Sequence, residues 1–165
     1  MLAAIQLQVE AALDYDKLLD KLRGSEGEKN IRDQQNALIT SLNLRLNGVS
    51  KKRTRLYEDY AEGLLDEAEY SFAKKSYDEQ YADLSRRLDE AVQRRSKFDE
   101  AMSVDNKWIT LMKSVSTATQ LSQDLVDESV ELVKVHEGGA VELVMKYGDI
   151  YELTIQSIKE VQEAM

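Results

Sequence analysis

Apolar residues recur along this chain with successive periods, and each period predicts a different element. Between Leu2 and Arg23, Ile5, Val9, Ala12, Leu13, Leu19 and Leu22 fall close to one face of an α-helix. That pattern stops at Gly24-Ser25-Glu26-Gly27, where two glycines make continued helix costly. Ser25, with Glu28 three residues later, forms a capping-box pattern in which each side chain satisfies the other's free backbone N–H. The spacing predicts a break and a restart, with Gly24 and Gly27 as a hinge. One continuous helix with a strained spot is the alternative.

From Glu28 to Tyr60 the period changes to a heptad seam: Ile39, Leu42, Leu46, Val49, Arg53, Leu56 and Tyr60 alternate three- and four-residue steps. Gly63 ends that run, and Leu65-Asp66-Glu67-Ala68-Glu69-Tyr70 starts the next. Asp66 is the candidate N-cap, Glu69 its capping-box partner, and Leu65 with Tyr70 the hydrophobic staple. A second seam then follows through Tyr77, Tyr81, Leu84, Leu88, Ala91, Arg95, Phe98 and Met102. If the two seams face each other antiparallel, position numbers adding to 130 pair Tyr60 with Tyr70, Arg53 with Tyr77 and Val49 with Tyr81. The same rule pairs Leu46 with Leu84, Leu42 with Leu88 and Ile39 with Ala91. Nearly every apolar position lands on an apolar partner, which predicts a helical hairpin. At ~1.5 Å per residue, Glu28 to Tyr60 alone spans on the order of 50 Å.

Beyond Met102 the pattern shortens. Ser103 or Asp105 can cap a short helix carrying Trp108, Ile109, Leu111 and Met112. Ser122, with Leu121 before it and Leu125 and Val126 after it, starts another. Alternating apolar residues in Val133-Lys134-Val135 and Val141 to Tyr147 flank Gly138-Gly139, a β-hairpin signal because both glycines accept positive φ. A last amphipathic helix runs from about Asp149 toward Met165. The expected fold is therefore mainly α: a long antiparallel helical-hairpin coiled coil plus a small α+β subdomain with one β-hairpin. Its expected parts are a supporting helix at 1–23, a hinge at 24–27 and an arm at 28–102 with its tip at 61–67. A subdomain at 103–165 completes it, with short helices, a hairpin at about 131–147 and the C-terminal helix.

Composition sharpens this picture. The chain has no proline, and 32% of its residues are charged, which favours long helices with solvated faces. Without cysteine it has neither disulfides nor thiolate nucleophiles nor the usual structural zinc ligands. Apolar runs of a few residues fall far short of the roughly 20 that span a bilayer, so no membrane role is expected. The start, Met1-Leu2-Ala3-Ala4-Ile5, lacks the basic region of a signal peptide. The formal net charge is −9, and residues 101–165 hold 5 basic against 11 acidic side chains, which argues against a broad nucleic-acid footprint.

No catalytic constellation emerges. His136 stands alone beside the Gly-Gly turn, where histidines are usually surface residues. The carboxylates lie at helical spacing among lysines and arginines, as on solvated coiled-coil faces. Three features rise above this background. Tyr57, Tyr60, Tyr70, Phe72, Tyr77 and Tyr81 crowd the bend, either as seam packing or, for the outward members, as a protein-binding tip. Arg53 and Arg95 sit on the seams, either snorkelling or weakening the arm by design, and Arg53 opposite Tyr77 permits a cation–π contact. Lys51-Lys52-Arg53-Thr54-Arg55 forms a basic stretch, either a solvated face or a contact for phosphate or an acidic partner. The candidate interaction residues are Tyr57, Tyr60, Leu64, Leu65 and Tyr70.

The run from Leu56-Tyr57-Glu58-Asp59 through Gly63 to Glu67-Ala68-Glu69-Tyr70 resembles the helical-hairpin tip of large serine recombinases. Leu121-Ser122, Leu125-Val126, Val130 and Val133 to Gly139 are similar to that family's final helix-to-hairpin passage. Val141-Leu143-Met145-Tyr147 and Asp149 continue the match, so the resemblance covers roughly residues 28 to 165. It implies a parent enzyme whose catalytic domain cleaves DNA with a serine nucleophile and whose zinc-ribbon domain holds zinc through cysteines. It also implies a coiled-coil arm that joins subunits during synapsis and helps set the direction of recombination. This chain lacks the catalytic domain and the zinc ligands. The resemblance thus implies a non-catalytic arm module with no cofactor of its own, in a cytoplasmic, bacterial or phage-encoded protein. Its expected partners are other copies of the arm or a directionality factor, with DNA met through the parent. A structural or adaptor coiled coil unrelated to recombination is the alternative.

Overall fold

The computed structural model describes residues 2–120 and 122–165, and the chain divides into two compact units. One unit, the arm, is Arg32–Ser96. The other, the body, combines the residues up to Ile31 with Lys97–Met165.

The arm consists of the paired stretches of α2 (Glu26–Ala61) and α3 (Glu67–Met102), packed antiparallel as the heptads require. Leu42, Val49, Leu84 and Ala91 are buried, with Ile39, Leu46, Tyr77, Tyr81 and Leu88 packed around them. Leu56 is buried as well. At the bend, the Tyr60 and Tyr70 rings stack with centroids 4.3 Å apart and an interplanar angle of 16°, which fixes the register expected from the sequence.

The body is built around one core. Helix α1 (Leu2–Leu22) buries Ile5, Val9, Ala12, Leu19 and Leu22. Against it lie Trp108, Ile109 and Met112 of α4 (Lys107–Ser114), Leu125 of α5 (Gln123–Ser129), and Ile150, Ile158 and Val161 of α6 (Gly148–Glu163). Strands β1 (Val130–Val135) and β2 (Val141–Met145) form an antiparallel pair with Val133 opposite Leu143 and Val135 opposite Val141. The register shifts between Val130 and Leu132. Gly138 and Gly139 take φ of 95° and 84° in the turn, as the Gly-Gly signal requires.

Six expectations need correction. Residues 103–165 are not a subdomain of their own, because their core is completed by α1 and by Phe98 and Met102. Phe98, expected on the seam, therefore belongs to the body: the heptad reports that a face is apolar, not what covers it. Leu13 is 37% exposed, since it lies ~100° around the helix from buried Ala12. The cap of α4 is Asn106, whose side chain accepts from Ile109 N at 3.1 Å and donates to Ala101 O and to Thr154 Oγ1. Strand β2 stops at Met145, and Tyr147 turns into α6 with a φ of 59°.

The sixth correction concerns the hinge. Gly24 fits the expectation of a permissive backbone, with φ of 74° and nothing near its missing Cβ. Gly27 does not, since it lies inside α2, where a Cβ would come within 2.2 Å of Val161 O and 2.7 Å of Met165 Cγ. It is a close-approach glycine, chosen for the absence of a side chain. The junction is also tied down. Arg23 donates to Met102 O at 2.8 Å and Ser103 O at 2.7 Å, closing the C-terminal carbonyls of α3. Glu28 N is capped by Ser25 Oγ at 3.2 Å, while the Glu28 carboxylate reaches past Ser25 to accept from Gly24 N.

Candidate functional site

The bend of the arm is closed by two local devices. Helix α2 ends in a Schellman motif: Leu64 N donates to Asp59 O at 2.9 Å and Gly63 N to Tyr60 O at 3.0 Å. This requires a left-handed residue, and Gly63 supplies a φ of 75°. Helix α3 begins with a reciprocal capping box. Glu69 N donates to Asp66 Oδ1 at 2.8 Å and Asp66 N to Glu69 Oε2 at 3.1 Å. Two orphan donors and two orphan carbonyls are thereby satisfied without help from any other part of the chain.

The five candidate residues separate around this frame. Tyr60 and Tyr70 stack on each other, and Leu65 is half-buried. Tyr57 and Leu64 point to solvent, 63% and 67% exposed. Phe72, which belonged to the aromatic cluster but not to the candidate set, is the most exposed large apolar side chain near the bend at 81%. Its place was legible in principle: two residues beyond Tyr70 on a helix is about 200° around the axis, away from the stack.

Behind the bend, Arg53 Nη2 pairs with Asp78 Oδ1 at 2.8 Å, and Lys74 Nζ meets Asp78 Oδ2 at 3.3 Å. The Arg53 guanidinium lies 4.9 Å from the centroid of Tyr81, not over Tyr77, one turn of α3 away from the sequence expectation. Both members of the Arg53–Asp78 pair are more than a third exposed, so solvent screening keeps its contribution below about 1 kcal/mol. A shallow cavity of about 410 Å³ between Arg53, Tyr57, Tyr70 and Lys74 follows from this side-chain arrangement.

In the body, a cavity of about 970 Å³ opens beside Gln8, Glu131, Asp149 and Glu152, over the wholly buried Trp108. Trp108 is covered by Tyr151 at 4.6 Å and Tyr15 at 6.0 Å between centroids. On the exposed hairpin, Glu142 accepts from Lys134 at 3.0 Å and pairs with His136 at 2.9 Å. The Lys134 bond and then the His136 bond hold the Glu142 carboxyl below its ordinary value. Among the described residues no three His, Asp or Glu side chains are disposed to hold a metal ion, and the chain has no cysteine. No helix among the described residues is long and apolar enough to cross a membrane.

Comparison with family models, with curated proteins and with solved structures returned no match. Leu121, part of the quoted resemblance, lies outside the described residues.

Proposed function

We propose that this chain is the coiled-coil interaction module of a site-specific serine recombinase. In this reading it carries no catalysis of its own. It makes the subunit–subunit contacts of synapsis and contributes to the direction of recombination, in a cytoplasmic, bacterial or phage-encoded enzyme. Partners are other copies of the arm or a directionality factor, and DNA is reached through the parent.

The observation that carries this reading is the bend. Its helix ends are capped by local groups, yet Tyr57, Leu64 and Phe72 stand in solvent where neither the stack nor the seam uses them. Large apolar side chains exposed together at the end of a capped hairpin suit a contact surface. The ordered sequence resemblance from Leu56 to Asp149 supports the choice of family. The β-hairpin and α6 favour it over a plain adaptor coiled coil, which needs neither.

The test is Leu64→Glu in the intact recombinase. Leu64 is exposed and lies past the Schellman carbonyls, so folding is expected to survive. Binding to a single attachment site should be unchanged, while formation of paired DNA complexes or their directional control falls about tenfold or more. Unaltered recombination in both directions would remove the tip from the function.

A further inference from the structure

Charge on the arm is sorted by level, and the sorting is self-complementary. From Tyr57 to Ala73, through the bend, the chain carries Glu58, Asp59, Glu62, Asp66, Glu67 and Glu69 and no lysine or arginine. Directly behind, Lys51, Lys52, Arg53 and Arg55 on α2 and Lys74 and Lys75 on α3 meet two acids, Asp78 and Glu79, so the belt keeps a basic excess. The Tyr60–Tyr70 stack sets the acidic residues of the two helices at one level of the hairpin, and the Arg53–Asp78 pair sets the basic ones at the level behind it. An acidic cap thus adjoins a basic belt in a chain whose formal net charge is −9.

Local structure uses only part of this charge. Arg53 and Lys74 share Asp78, Arg55 reaches Asp59 at 3.9 Å, and Asp66 and Glu69 form the capping box. Glu58, Glu62 and Glu67 in the cap and Lys51, Lys52 and Lys75 in the belt are exposed and have no ion-pair partner among the described residues. The cap is also costly at one point. Helix α2 has no basic residue in its last turn, where Glu58 and Asp59 stand against the negative end of the helix dipole. Helix stability alone therefore argues against these acids.

We infer that the arm docks on a second copy of itself with the acidic cap of each against the basic belt of the other. The two hairpins point in opposite directions about a twofold axis, so that one patch serves both copies. Cap and belt lie about seven residues apart along each helix, so the overlap is on the order of 10 Å. Tyr57, Leu64 and Phe72 lie within that overlap and supply its apolar part. This rests on the preceding reading that the tip meets a partner, and it names the partner and the force that orients it. So small a contact belongs with weak, transient interfaces, where charge fixes orientation and register more than affinity.

A charge exchange tests it on the full chain. The belt-reversed variant carries Lys51→Glu, Lys52→Glu and Lys75→Glu, and the tip-reversed variant Glu58→Lys, Glu62→Lys and Glu67→Lys. All six positions are exposed, five on helices and Glu62 in the turn after α2, and circular dichroism checks that each variant keeps its helix content. By sedimentation equilibrium the unaltered chain should self-associate with a dissociation constant on the order of 100 μM. Each variant alone should associate at least tenfold more weakly, and an equimolar mixture should recover heterodimers within about threefold of the unaltered affinity.

Net charge alone predicts otherwise. Each Glu→Lys change adds two charges, so the tip-reversed chain moves from −9 to −3 and would self-associate best. That result, a mixture that fails to associate, or an unaltered chain that stays monomeric at millimolar concentration would each overturn the docking. Association that survives both reversals but is lost in Leu64→Glu would overturn the charge pairing and leave the tip reading standing.

Discussion

Body and arm bury apolar surface by different means. In the body, side chains from α1, α3, α4, α5, α6 and β1 converge on Trp108, Ile5, Leu19, Met112 and Val161, all essentially removed from water. Long-range bonds such as Asn106 to Thr154 and Arg23 to Met102 and Ser103 tie its segments together. In the arm only one stripe of each helix is covered, by the matching stripe of its neighbour, and Leu38, Leu44, Tyr57 and Val92 remain exposed. A core that gathers many segments stabilises a fold. A two-helix seam buries little per residue, and its more useful product is a capped end with surface to spare.

The largest way to break that comparison is Trp108→Ala. Losing a fully buried indole from the body should cost about 3–5 kcal/mol. In hydrogen-exchange measurements, amides around Ile109, Met112 and Ile158 should lose two or more orders of magnitude of protection. Those at Leu42, Val49 and Leu84 should change far less. Equal loss at both sets would make body and arm one cooperative unit.

Gly27→Ala sharpens it next. Alanine ordinarily improves a helix interior by about 1 kcal/mol over glycine. Here its Cβ would meet the Val161 carbonyl, a backbone group with little room to yield. Net destabilisation of about 1–3 kcal/mol is expected in denaturant titration. A gain in stability would show that α6 can move aside and that the contact is loose.

The smallest effect concerns the β-hairpin. Because Lys134 and His136 hold the folded carboxyl of Glu142 below its ordinary value, its contribution is present above the ordinary carboxylate range. It is lost as pH falls through the lowered value. The Val135 and Val141 amide resonances should shift toward disordered values across that acidic window while those of α1 stay fixed. Glu142→Gln should remove the dependence. A hairpin indifferent to acid in both forms would assign its stability to the Gly138-Gly139 turn and the apolar cross-strand pairs alone.

How much was legible in the sequence follows the same division. The Tyr60–Tyr70 stack, the Asp66–Glu69 box and the Leu42, Leu84 and Ala91 seam depend on period and local chemistry, and all were readable from spacing. Gly27 was misread because the group that demands a glycine, Val161, lies more than a hundred residues away. Ser103, Asp105 and Asn106 are all good caps within four positions, and buried Thr154 is the long-range partner that Asn106 alone engages. Phe98 continued an unbroken heptad, so nothing local announced that body residues would cover it. At the tip, periodicity separated Tyr60 and Tyr70 from Tyr57. Phe72 was missed because the candidates were chosen by nearness to the bend and not by helical angle.

The assignment of function to the tip is most directly tested by adding this chain, as a separate protein, to an intact recombinase that carries it. If the tip is an autonomous contact surface, the free chain should compete for it. Paired DNA complexes should then decline with dose, single-site complexes should persist, and the Leu64→Glu chain should be at least tenfold less effective. Pairing that is untouched by a large excess of the free chain, or equally inhibited by the Leu64→Glu chain, would contradict the assignment.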